Sequence, residues 1–346
     1  MGRVPLLVVS MPWGLAGPQQ YLQSVLDHPG FQRAFDAECW WTEDVYRGLQ
    51  GKWRLWQDAR ARLRRRPPRA VYIVADLSLA FWLGLVFRLA GAPPLVFHSQ
   101  NSVYGSPRRP IVQWLFRAAL RRWARERLAL GSESAVAMFG TAEGMVQVPC
   151  LIDFNALRAS VDATPASRTA GSPLRVGCVG RLSEQKNQAL LLRALAALGP
   201  DAGLELWLVG EGGDRAALEA LALKLGLAER VRFLGPRTDM ARVYVDLDAV
   251  AVPSVWEGQC RVVAEAQAFG LPVLISPAIP DFACLPSPPV RRVPGYAVAD
   301  WAQALGELAA VPPPRVLPTL AAINAELVAL ESGVLRLGEA LRRAAA

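Results

Sequence analysis

The segment SVWEGQCRVVAEAQAFGLPVL, residues 254–274, places Glu257 and Glu265 eight positions apart, across a Gly-containing loop that runs into a helical stretch. The apolar run AVAVPS before it reads as a strand, and Arg261 to Phe269 as a helix whose first N–H groups have no partner within the helix. Glu265 would lie about one turn into that helix, so its carboxylate can reach the same mouth as Glu257 on the loop. Two carboxylates on either side of a helix N-terminus can hold two sets of sugar hydroxyls, with phosphates between them on backbone amides. Taken singly, Glu257 also fits a helix-capping acid and Glu265 a surface charge.

A second set of charges follows the strand-like run LRVGCVG. In RLSEQKN, Arg181 and Lys186 sit on a loop that opens a helix, a combination suited to a diphosphate. A solvated loop with incidental charges is the plainer alternative. Lysine occurs only at Lys52, Lys186 and Lys224, the other 35 cations being arginine, so a compact ammonium at this loop points to a point charge. The next strand-like run ends in VGEGGD, where Gly210, Gly212 and Gly213 would let the backbone approach a ligand or simply make a turn. The spacing does not match the Walker pattern, which argues against an ATPase.

These residues need a scaffold that brings strand ends together. After a polar stretch at 159–173, apolar runs alternate with helix-like ones: LRVGCVG, Asn187–Leu198, LELWLVG, Arg215–Leu225, VRFLG, AVAVPS, Arg261–Phe269 and PVLIS. PLLVVS, AVYIVAD and PLVFHS repeat the theme in the N-terminal half. Short, continuously apolar strands between helices predict parallel sheets covered on both faces, with ligands beyond the carboxyl ends of the strands. The expected organisation is α/β: a Rossmann-like doubly wound domain over 1–158, a linker at 159–173 and a second such domain over 174–316. An amphipathic helix over 317–346 would pack back across the junction.

Composition narrows the setting. The 346 residues, 52% hydrophobic, supply enough apolar surface for two cores. Five scattered cysteines, Cys39, Cys150, Cys178, Cys260 and Cys284, form no C-x-x-C pair and suit a reducing cytosol. The start, a strand-like run, lacks the features of a signal peptide. Leu77–Ala92 is interrupted by Arg88, is shorter than the roughly 20 apolar residues a membrane span needs, and reads as a buried helix.

The ordered pieces GRLSEQKN, LVGEG, VRFLG and PSVWEGQCRVVAEAQAFGLPVL, between about Leu174 and Ser276, resemble the retaining glycosyltransferases of family 4. Those enzymes have the GT-B fold, two Rossmann-like domains facing a central cleft. In the N-terminal half, residues 14–17 resemble the family's Gly loop, and VPCLID the segment before the linker. PLVFHSQN places His98 where the family often has a histidine facing the donor sugar, although alone it would read as a packed strand-end residue.

The resemblance implies that Arg181 and Lys186, with Gly180 before them, bind the diphosphate and stabilise the departing nucleoside diphosphate. Glu265 would hold the ribose and Glu257 the donor-sugar hydroxyls. Backbone around Phe233 and Leu234 would line the base, Gly210 would lie at the glycine turn, and Gly17 would close from the other domain. The amides of Cys260, Arg261 and Val262 would lie beside phosphate and sugar. The donor would be a UDP- or GDP-sugar, with no cofactor, and no metal is implied. Transfer would retain anomeric configuration. Gln259-Cys260-Arg261 departs from the family's usual apolar residue followed by Gly or Pro, which leaves room for an altered donor or for an inactive binding or scaffold protein.

Residues 1–170 carry 21 Lys+Arg against 12 Asp+Glu, while residues 171–346 carry 17 against 18, so the first half prefers an anionic partner. PRRPIVQWLFRAALRRWARER, 107–127, reads as a helix with Gln113, Arg117, Arg121 and Arg125 on one stripe and Val112, Leu115, Phe116, Ala119 and Trp123 on the opposite one. Such a helix either packs on the core with a solvated basic face or lies on an anionic membrane surface, where many relatives find lipid-linked acceptors. The expectation is a cytoplasmic protein with peripheral contact at the inner face of the cell membrane, acting on a glycan or lipid-linked glycan. No zinc-finger spacing or RNA-recognition signature supports a nucleic-acid partner.

Overall fold

The computed structural model describes residues 2–346 except 11–16, 43–47, 101–109, 150, 160, 162–170, 288–289, 313–314 and 326–328, with 17–21, 48–49 and 331 described in their backbone only. The chain divides into two compact units, Met1–Ile152 with Leu327–Ala346, and Asp153–Glu326. The second unit thus starts ahead of the polar stretch at 159–173, most of which lies outside the described residues.

Among the described residues, the first unit carries six strands: β1 (Val4–Ser10), β2 (Phe35–Trp41), β3 (Ala70–Val74), β4 (Leu95–Ser99), β5 (Ala124–Ala129) and β6 (Met145–Gln147). All pair in parallel, in the order β2-β1-β3-β4-β5-β6. The central strands β3 and β4 are buried along their whole length, as continuous apolar runs require when helices cover both faces. Leu77–Leu89 is the expected buried helix, started by Asp76, whose Oδ1 accepts from the Leu79 N–H at 2.8 Å. Gly17 opens the helix Gly17–Asp27, and the rest of the predicted glycine loop lies outside the described residues.

The basic stretch differs from its expected form. The helix Pro110–Trp123 stops at Trp123, and residues 124–129 form β5, so Arg125 is on a strand. Pairing with β4 overrides the helical reading of ARER, because five aligned positions of a parallel ladder outweigh weak local propensity. The apolar stripe also splits. Phe116 and Trp123 stack on Phe81 at 3.9 and 5.4 Å, whereas Val112 and Leu115 face outward, as do Ile111 and Trp114 beside them.

The second unit carries β7 (Leu174–Val179), β8 (Leu204–Val209), β9 (Val231–Gly235), β10 (Ala249–Val252), β11 (Val273–Ile275) and β12 (Val290–Arg292), all parallel, in the order β12-β11-β10-β7-β8-β9. Its helices Gln188–Ala197, Arg215–Lys224 and Arg261–Ala268 fall where the sequence pattern placed them. Strand order reverses between β10 and β7, and that reversal leaves a crevice beyond their carboxyl ends.

Residues 317–346 form two helices rather than one. Leu320–Asn324 belongs to the second unit, while Leu330–Ala345 returns to the first, where Leu337, Ala340 and Leu341 are buried and Arg343 pairs with Glu126 of β5 at 2.9 Å. Ile152 and Ala329 form a parallel bridge where the chain re-enters. Leu337→Ala should therefore cost about 2–4 kcal/mol, felt in the first unit. Hydrogen exchange is expected to show loss of protection in β3 to β5 with β7 to β11 unchanged.

Candidate active site

The loops after β7 and β10 lie side by side because their strands are neighbours. Hydrogen bonds involving backbone stitch them: Val255 N–H to Gln185 O at 2.8 Å, Gln185 Nε2 to Trp256 O at 2.9 Å, and Asn187 Nδ2 to Pro253 O at 3.4 Å. After β7 the chain makes one 3₁₀ turn, Glu184–Lys186, and Asn187 takes a left-handed conformation, φ 51°, to start the next helix. That turn sends Lys186 back under the loop. A side chain on Gly180 would press on the Lys186 stem, its Cβ 3.2 Å from Cε, so glycine makes the room the lysine occupies.

Lys186 Nζ donates to Glu257 Oε1 at 2.5 Å, with side-chain exposures of 18% and 7%. Burial works against the ammonium, but the charge and hydrogen bond of the Glu257 carboxylate outweigh it, and the lysine pKa lies above its usual value. The lysine is therefore a permanent cation. Removing one partner would strand a buried charge, at about 3–5 kcal/mol. Arg181, on the same loop, is exposed.

Glu265 projects from the helix Arg261–Ala268. Its Oε2 accepts from the Tyr244 hydroxyl at 2.8 Å and its Oε1 lies 3.3 Å from Arg261 Nη2. Tyr244 is fully buried, and burial followed by the neighbouring Glu265 holds its pKa well above the ordinary value, so it stays a donor. Sequence reasoning passed over Tyr244, since nothing local in MARVYVD marks it and only the fold carries it to Glu265. Cys260, at the helix N-cap, is buried with φ 66°. Burial raises its thiol pKa, as it raises that of Cys178 in β7 to about 12, so neither is a nucleophile at neutral pH. Val262 is half-buried in the first turn, and Phe233 and Leu234 are half-buried on β9.

Two predicted site residues have other duties. A Cβ on Gly210 would lie 2.1 Å from the Gly180 carbonyl oxygen, so its bare Cα admits the neighbouring loop. His98 at the end of β4 is fully buried, with Nδ1 2.7 Å from the Tyr72 hydroxyl and Nε2 2.9 Å from Val148 O. A carbonyl only accepts, so Nε2 carries the proton and Nδ1 accepts from Tyr72. Both ring nitrogens are spent inside the first unit, and the packed strand-end reading describes this histidine. Two residues on, the side-chain amide of Gln100 is buried with no hydrogen-bond partner among the described residues, as is the Ser254 hydroxyl after β10. Such groups ask for a ligand or water.

The family model "Glycosyl transferases group 1" matches residues 173–310. The chain is 30% identical over 263 residues to EpsF of Bacillus subtilis (strain 168), named as a glycosyltransferase, covering 72% of this chain and 68% of that protein. The chain belongs to the group 1 glycosyltransferases. A 39% identical match to the D-inositol 3-phosphate glycosyltransferase of Nocardia farcinica spans 172 residues, 45% of this chain but only 36% of that enzyme.

Among solved structures, Anabaena Alr3699/HepE in complex with UDP-glucose superposes with a TM-score of 0.73 at 19% identity, covering 98% of this chain and all of that one. Sucrose-phosphate synthase from Thermosynechococcus elongatus gives 0.77 at 18% identity, covering 98% of each chain. The fold of this glycosyltransferase is thus GT-B, two Rossmann-like α/β units.

His98 yields a test by pH. Its burial lowers the pKa from 6.5 to about 4, partly opposed by its hydrogen bond to the Val148 carbonyl. Between those values the unfolded chain binds a proton that the folded one refuses, so stability is complete above pH 6.5 and falls as pH drops towards 4. The loss amounts to about 3 kcal/mol. Urea unfolding of the glycosyltransferase across this range should show that slope, and His98→Gln should flatten it.

Proposed function

We propose that this glycosyltransferase moves a sugar, with retention of anomeric configuration, from a UDP- or GDP-sugar to a glycan or lipid-linked glycan of the cell envelope. The observation that carries the donor reading is the crevice beyond β7 and β10. There Lys186 and Glu257 form one buried ion pair while Tyr244 fixes Glu265 at the start of the helix Arg261–Ala268.

In this reading Arg181 and Lys186 take the diphosphate and stabilise the leaving group. Lys186 is charged before the ligand arrives, so no reorganisation is needed when negative charge develops. The amides of Cys260, Arg261 and Val262 supply further donors at the helix N-terminus. Glu265 accepts from the ribose hydroxyls and Glu257 from those of the donor sugar. The leaving phosphate helps deprotonate the acceptor, and these fixed cations replace a divalent metal.

The acceptor falls to the first unit, where the Gln100 amide, without a hydrogen-bond partner among the described residues, offers one donor pair and one acceptor beyond β4. The outward face of the helix Pro110–Trp123 supports peripheral membrane contact. Ile111 (74% exposed), Trp114 (61%) and Leu115 (51%) stand near the exposed Arg121 and Arg122 on one short helix, apolar anchors beside cations that suit an anionic lipid surface. Among the described residues no helix is long and apolar enough to cross a membrane.

Two outcomes check this reading. UDP or GDP should raise the melting temperature in the presence of EDTA, by roughly 2.7 kcal/mol of stabilisation at a hundredfold excess over Kd, and Glu265→Ala or Lys186→Ala should remove the shift. No shift with either nucleotide would sink the donor assignment, while binding without hydrolysis or transfer would favour a scaffold. In vesicle sedimentation, phosphatidylglycerol-containing membranes should capture the protein and phosphatidylcholine alone should not. Trp114→Ser with Leu115→Ser should abolish the capture.

A further inference from the structure

Three local preferences are violated together where the helix Arg261–Ala268 begins. Cys260 holds a left-handed φ of 66°, a conformation L-residues other than Asn and Asp seldom adopt. Arg261 puts a cation into a first turn that contains no acid, where the helix dipole disfavours positive charge. The Arg261–Glu265 pair also runs cation first, the weaker order for an i,i+4 pair. None of these choices helps the helix. Departures from local rules that cluster on one face of a site mark function rather than folding.

The contacts of Glu265 show what the arginine could do. Tyr244, fully buried, holds Oε2 at 2.8 Å and fixes the carboxylate, whereas Arg261 reaches Oε1 at a looser 3.3 Å and is itself 24% exposed. The tyrosine contact is the anchor and the arginine contact the exchangeable one. Arg181 and Lys186 lie on the loop after β7, which is hydrogen-bonded to the loop leading into Arg261, so a guanidinium leaving Glu265 has cations for a phosphate within the same crevice to join.

We propose that Arg261 is a third diphosphate-binding cation, parked on Glu265 while the site is empty and handed to the phosphate oxygens when a ribose diol takes its place on Oε1. This rests on the nucleotide-sugar reading above and adds to it a coupling. The ribose must displace Arg261, which costs affinity for a bare nucleoside, and the diphosphate recovers that cost through charge-assisted, two-pronged hydrogen bonds that only arginine can make. The site then discriminates for the diphosphate beyond what Arg181 and Lys186 provide. A nucleoside alone gains little, and the presence of ribose and phosphate on one molecule is read as a unit.

Calorimetric titration of the full chain with UDP, GDP, uridine and guanosine tests this. Arg261→Leu should weaken diphosphate binding about tenfold or more while leaving nucleoside affinity equal or a few-fold tighter. Arg261→Lys should recover only part of the loss. Equal weakening of nucleoside and diphosphate would make Arg261 a mere brace for Glu265, and no change in either would make it a surface ion pair; each overturns the inference. Wild-type protein that binds UDP or GDP normally while Arg261→Leu does the same would sink the role of Arg261 alone. Wild-type protein that binds neither would sink the donor reading, and this inference with it.

Discussion

The second unit of this glycosyltransferase is organised around one buried ion pair. Lys186 and Glu257 come from loops 71 residues apart in the chain, yet the adjacency of β7 and β10 leaves them 2.5 Å apart and largely out of water. A buried charge is tolerable only when paired, so neither side chain can be placed without the other. That requirement propagates outward. The 3₁₀ turn at 184–186, the left-handed Asn187, the missing side chain at Gly180 and the hydrogen bonds from Gln185 all serve to bring the ammonium to the carboxylate. Gly210 and Gly212 extend the same logic, since a Cβ at either would strike backbone of the 180–182 loop at 2.1 Å.

Much of this was legible in the sequence because it is written locally. Continuous apolar strands followed by charged loops are visible as patterns, and the strands from β7 to β11 fall where those patterns put them. The strands that escaped notice are β2, β5, β6 and β12, whose residues carry charge or are few. ARERLA of β5 and VRR of β12 take strand form because a neighbour offers a ladder, not because the residues prefer it. The first unit was harder for the same reason, and its closing helix is supplied from residues 330–345, far away in sequence.

The side chains show a sharper division. Glu257, Glu265, Lys186 and Arg181 announce themselves by following strands, a positional signal. His98 gave the same signal and means something else, since the Tyr72 hydroxyl and the Val148 carbonyl consume both of its nitrogens. No spacing in the sequence foretells that, because both partners come from elsewhere in the unit. Tyr244 is the converse: invisible in its own helix, and the anchor of Glu265 in the fold. What a sequence withholds is which polar atoms are already spent, and that decides whether a strand-end residue is a tool or a fastener.

Charge is handled differently in the two units. In the second, cations are matched locally: Arg215 with Glu211 and Glu219, Arg237 with Asp239, Arg291 with Glu307, Arg292 with Asp281. Fields from such pairs cancel within a few ångströms, so an approaching anion senses little until it reaches the crevice, where the positive groups are held in place by carboxylates. In the first unit Arg62 pairs with Glu38, Arg66 with Asp36 and Arg343 with Glu126, but arginine outnumbers the acids there, and Arg121 and Arg122 lie exposed on a helix whose opening turns show apolar residues to solvent. An unmatched field acts at long range and attracts any extended anionic surface, whereas a matched one acts only on contact. Long-range attraction suits a partner that must be found as a surface, and short-range complementarity suits one that must be recognised group by group. The uneven charge of the two halves therefore fits a division between recruiting an extended partner and recognising a small one.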